Sequence, residues 1–123
     1  MGFGEHLEGI LKRLDGAVAA SVMGFDGIPV ETVELSPEGP AEDIDVNALL
    51  VEYSNILNQL RGAAELLQSG SVTEISINSE KIVTIARLLS DEYFVIVALL
   101  PSANYGKARY LLRVTAPDIA AEI

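Results

Sequence analysis

Residues 45–68 read DVNALLVEYSNILNQLRGAAELLQ, and this stretch decides the fold. Set at 100° per residue, Val46, Leu49, Leu50, Tyr53, Ile56, Leu57, Leu60, Ala63, Ala64 and Leu67 gather on one side. The pattern predicts a long amphipathic helix, capped by Asp45 and stopped by Gly70, with this stripe packed on a sheet. A helix facing only water on its other side would be charged there. Instead Ala48, Val51, Asn55, Gln59, Gly62 and Leu66 recur at helical seam spacing, with Glu52, Arg61 and Glu65 on the flanks. Gly62 adds to the anomaly, because glycine inside an exposed helix costs ~1 kcal/mol relative to alanine. A missing Cβ lets another backbone come close. We therefore expect these six residues to form a dimer interface, most simply with the same helix of a second copy across a two-fold axis.

Working outward, the segments on either side alternate with turn signals. Glu5–Leu14 has helical apolar spacing and ends at Asp15-Gly16. Ala17–Gly24 (AVAASVMG) is apolar on both faces and suits a central strand. Asp26-Gly27 supplies a hairpin turn into Ile28–Leu35, whose Pro29, Glu31 and Glu34 assign it to a sheet edge. Ser36–Asp43 is a loop by composition. After the long helix, Ser71–Asn78, Lys81–Leu89 and Tyr93–Leu100 read as strands. Ala103–Val114 closes the chain as a helix, capped by Asn104 or Ser102, with Pro117 expected to end it. The order α-β-β-α-β-β-β-α lacks a βαβαβ rhythm. It predicts an α+β fold: an antiparallel sheet with helices on its faces, as one domain spanning residues 1–123.

Composition excludes several classes of function. The chain has 123 residues, no Cys and one His, so Cys-ligated zinc, thiol catalysis and multi-histidine metal sites are out. Eight basic residues stand against 18 acidic ones, a net charge of −10 that leaves no basic footprint for nucleic acid. The charge is uneven: residues 1–70 hold 12 acids and 3 bases, residues 71–123 hold 6 and 5. Such a field favours a basic partner and repels anionic membranes, and it also simply maintains solubility. No apolar run approaches the ~20 residues that span a bilayer, and the N-terminus lacks a basic leader region. The expected location is the cytoplasm, without membrane insertion.

Catalytic constellations are weak. Gly2-Phe3-Gly4 follows no strand and no phosphate loop of the GxxxxGK[ST] type occurs. Glu38, Glu42, Asp43 and Asp45 cluster, but without the ligand spacing of a calcium loop. His6 reads as a surface histidine, and Asp26 as a residue that shapes its turn. Lys107, Arg109 and Arg113 near the end of the last helix read as cations favourably placed at a helix C-terminus. No acid–base pair can be assembled, so neither an enzyme nor a cofactor is expected.

Two motifs suggest a family. Leu14-Asp15-Gly16-Ala17, an apolar strand and Asp26-Gly27-Ile28 form the first; Ala103–Arg113 (ANYGKARYLLR) forms the second. The second is similar to the A-N-x-G-x-A-R segment that opens the last helix of many prokaryotic roadblock domains. With the element order, the chain resembles the family of roadblock dynein light chains and of MglB-type regulators of small Ras-like GTPases. The resemblance implies a five-stranded antiparallel sheet with the long helix on one face and the two terminal helices on the other. It also implies a homodimer with the long helices side by side. Members bind Ras-like GTPases; some stimulate GTP hydrolysis without supplying the catalytic residue, and others only recruit partners. On that basis the paired helices would present Glu52, Asn55 and Gln59 to a GTPase. Asn55 has a second reading, as a polar residue that sets the register of the pair. The alternatives to a GTPase regulator are a pure scaffold and a small-ligand sensor, the latter requiring polar side chains turned into the core.

Overall fold

The computed structural model describes residues 2–35 and 41–123. Five strands form one antiparallel sheet: β1 Ala17–Gly24, β2 Pro29–Glu34, β3 Glu74–Asn78, β4 Val83–Leu88 and β5 Tyr93–Leu99. Their order across the sheet is β2-β1-β5-β4-β3. The largely apolar β1 and β5 sit centrally, and the proline-bearing, glutamate-bearing β2 lies at an edge, as their composition demands. Helices α1 (Phe3–Lys12) and α3 (Tyr105–Ala120) share one face of the sheet. There Leu7, Ile10, Leu11, Leu111, Leu112 and Ile119 cover Val22, Ile85, Val95 and Val97. Helix α2 (Val46–Leu66) covers the other face, where Val46, Leu50 and Leu57 meet Val18, Met23, Phe94 and Ile96. The α+β architecture expected from the sequence, an antiparallel sheet with helices on both faces, is the one observed.

Turns and caps explain the joints. Between β1 and β2, Gly27 holds φ +86°, where side chains are strained, and the Ile28 N–H donates to Asp26 Oδ1. Asp45 caps α2 by accepting from the Ala48 N–H, and Asn104 caps α3 by accepting from the Lys107 N–H.

Several helix ends differ from expectation, α1 running Phe3–Lys12 rather than Glu5–Leu14. Helix α2 ends at Leu66 rather than at the expected Gln68, because Gln68, not Gly70 alone, turns left-handed, with φ 55°. The Gln68 N–H donates to the Glu65 carbonyl and the Ser69 N–H to the Ala64 carbonyl, which satisfies the last turn as a Schellman motif does. Helix α3, conversely, runs through Pro117 to Ala120. Pro117 is exposed, so water reaches the carbonyl its missing N–H leaves unpaired, while Ala116 and Ile119 are buried and hold the last turn on the core. Smaller shifts shorten β3 and β4 at their N-terminal ends, to Glu74 and Val83. Of the expected loop Ser36–Asp43, residues 36–40, including Glu38 of the acidic cluster, lie outside the described residues.

Candidate interaction surface on the long helix

The sheet takes a narrower strip of α2 than the apolar periodicity suggests. Val46, Leu50, Ser54 and Leu57 are buried, with Leu49, Tyr53, Arg61 and Ala64 half-buried. Ile56 remains 41% exposed, Leu60 38% and Leu67 76%, and Ala63 is exposed with them. These four were expected on the sheet. The buried line runs instead through Ser54, which fits because its hydroxyl donates to the Val51 carbonyl within the helix at 2.6 Å. Arg61, expected on a flank, folds inward. Its guanidinium stacks on the Phe25 ring, which itself packs on Phe94, and one N–H donates to the Asp91 carbonyl.

The uncharged stripe lies where the helical period puts it, away from the sheet. Ala48, Val51, Asn55, Gln59, Gly62 and Leu66 are all exposed, Leu66 by 84%. A Cβ added to Gly62 would meet no atom within 4 Å, so nothing in the same protomer requires glycine there. Glu52 is exposed on the shoulder between this stripe and the apolar flank of Ile56, Leu60, Ala63 and Leu67. Sequence reasoning missed that flank as a surface. Its signal was the excess width of the apolar stripe, ten residues where one sheet face can bury about half.

Beside the last turns of α2 an open groove of about 740 Å³ is lined by Arg61, Gly62, Glu65, Gln68, Val72 and Asp91 among others. It is polar and solvent-facing rather than enclosed. The buried polar side chains among the described residues are Ser21, Ser54 and Thr84. Ser21 is engaged with the Glu31 carbonyl and the Thr32 hydroxyl, and Ser54 with Val51. Only the Thr84 hydroxyl lacks a partner among the described residues. One hydroxyl is a poor lining for a ligand pocket.

On the other face, Glu74 at the start of β3 ties the edge strand to α3. It accepts two N–H bonds from Arg109, at 2.9 and 2.6 Å, and sits 3.7 Å from Arg87 of the neighbouring strand. The Glu74 carboxylate, first through these hydrogen bonds and then through its charge, raises the Arg109 pKa above its ordinary value. The Ser76 and Tyr105 hydroxyls bond beside it at 2.6 Å. Among the described residues no group of three or more His, Asp or Glu side chains could hold a metal ion, and no helix is long and apolar enough to cross a membrane.

A five-stranded antiparallel sheet with one long helix on one face and two terminal helices on the other defines a roadblock-type domain. No protein-family model matches the sequence and no curated protein matches it, but solved structures do. MglC from Myxococcus xanthus is 50% identical over the full length of both chains, with a TM-score of 0.72. A roadblock/LC7 domain from Streptomyces avermitilis superposes with a TM-score of 0.82 at 13% identity, covering 99% of this chain and 98% of that one. MglB from Thermus thermophilus gives 0.80 at 18% identity, covering 96% and 85%. The latter two likenesses show the fold; the identity with MglC shows the family. The chain belongs to the roadblock/LC7 family.

Proposed function

We propose that the chain is a non-enzymatic, homodimeric regulator or adaptor that binds a small Ras-like GTPase and modulates its cycle. The carrying observation is the surface of α2, where Val51, Ile56, Leu60, Leu66 and Leu67 stay exposed along one helix. Scattered exposed apolar residues need no explanation, but a contiguous helical patch marks an interface. A second α2 laid across the stripe would cover Ala48, Val51, Gly62 and Leu66, and would leave the Glu52 shoulder and the apolar flank beyond it outside the seam. Gly62 would then sit where the two backbones approach.

The GTPase part of the reading rests on membership of the roadblock/LC7 family and on the resemblance to MglB-type regulators. Pairing the helices would leave Glu52, with the outer parts of Asn55 and Gln59, as a symmetric ridge. Amide donors and acceptors next to a carboxylate suit a basic patch on the partner. Stimulation of GTP hydrolysis would then come from ordering the GTPase's own residues.

The test is co-purification from the native host, identification of the bound nucleotide-binding protein, and binding measured with the Glu52→Lys variant. Binding should weaken mainly through the on-rate, and more at low salt, with the oligomeric state unchanged. Unchanged low-salt binding by Glu52→Lys would place the docking surface elsewhere.

A further inference from the structure

Helix α3 carries a surface that the α2 reading does not use. Its sequence, YGKARYLLRVTAPDIA, holds three bases and one acid within a chain of net charge −10. Cations near a helix C-terminus would be stabilised by the dipole, but α3 begins at Tyr105 and ends at Ala120, with no basic residue in its last turn. Lys107 therefore lies in the first turn, where the dipole disfavours a positive charge, and Arg113 lies mid-helix. Arg109 is committed to Glu74. No carboxylate pairs with Lys107 or Arg113 among the described residues.

Between these two bases stand Tyr110, 53% exposed, and Val114, 41% exposed, with the Arg113 guanidinium 5.6 Å from the Tyr110 ring centroid. Asp118 borders this face one turn beyond Val114. We propose that the Lys107–Tyr110–Arg113–Val114 face of α3 is a docking surface for an acidic segment of a partner protein, one that sets an apolar side chain between carboxylates. Charge complementarity selects that occupant. Lys107 and Arg113 supply two cations with no carboxylate partner among the described residues, and Tyr110 and Val114 supply an apolar seat that a purely ionic ligand would leave wet. The chain's overall negative field disfavours a polyanionic surface such as a membrane or nucleic acid, which must approach over a wide area. A short acidic segment meets only this face. Because α2 and α3 lie on opposite faces of the sheet, the surface stays open whether or not α2 pairs with a second copy.

The experiment is selection from a random peptide library on the full chain, followed by titration of the selected peptides by fluorescence anisotropy. Selected peptides should be rich in Asp and Glu around an aromatic or aliphatic residue. Lys107→Glu combined with Arg113→Glu should weaken them by at least roughly tenfold and reverse the selection toward Lys- and Arg-rich peptides, with an unchanged melting curve. Gly62→Arg should leave peptide binding intact, which separates this surface from the α2 interface. Three outcomes would overturn the proposal: selected peptides without acidic bias, acidic peptides bound equally by the double variant, or a self-association abolished by the double variant, which would make the occupant a second copy. Binding to phosphatidylserine vesicles without binding to acidic peptides would overturn it as well.

Discussion

The guanidinium carbon of Arg61 sits 3.7 Å above the centroid of the Phe25 ring. This places the β1–β2 turn beneath the second half of α2, and the Arg61 bond to the Asp91 carbonyl adds the β4–β5 turn to the same junction. The last apolar residue that α2 buries is Leu57. Beyond it, Arg61 is what holds the helix to the sheet: its stem covers apolar surface and its head is satisfied by a ring face and a carbonyl.

Arg61→Ala should therefore loosen the C-terminal half of α2. A loss of about 1–2 kcal/mol in chemical denaturation is expected from the stacking and packing terms. Amide exchange should rise from residue 58 onward and stay unchanged near Asp45. Equal exchange along the whole helix in variant and wild type would show that Arg61 anchors nothing.

Gln68→Gly should stabilise the protein. A side chain at φ 55° carries a left-handed penalty of about 1 kcal/mol that glycine does not. The melting temperature should rise, and the same substitution at Gln59, within α2, should lower it.

Glu122 makes acid stability partly a matter of the chain's end. Burial pushes its carboxyl up, but hydrogen bonds, one of them to the His6 ring, and nearby positive charge outweigh that and hold it below its ordinary value of 4.5. A depressed carboxyl means the unfolded state binds more protons. Its contribution is thus complete above pH 4.5 and is lost as pH falls through the lower folded value. The melting temperature of Glu122→Gln should start lower at neutral pH and fall less steeply below that point than wild type. Parallel curves would contradict the assignment.

Much of the fold is legible in the sequence because its signals are local. Asp45, Asn104 and Asp26-Gly27 act within three residues of themselves, and β1 declares its central place by being apolar on both faces. The ends of α2 and α3 were less legible. Gln68 is left-handed although nothing in its side chain requires it, and Pro117 is tolerated because Ala116 and Ile119 are pinned by the core. The division of α2 was hidden for a related reason. Periodicity shows which residues are apolar, but one stripe can be shared between a sheet and an unoccupied surface. Only the placement of Ser54, Ile56 and Leu60 tells the two apart. Lys107 was misread for want of the helix start and end.

The central claim is that the exposed surface of α2 pairs two copies, and light scattering coupled to size exclusion at tens of micromolar tests it most directly. Wild type should elute with twice the 13.1 kDa chain mass, and Gly62→Arg, which sets a long cation into the seam, should return a folded monomer. A wild-type protein that remains at 13.1 kDa across that concentration range would contradict the account.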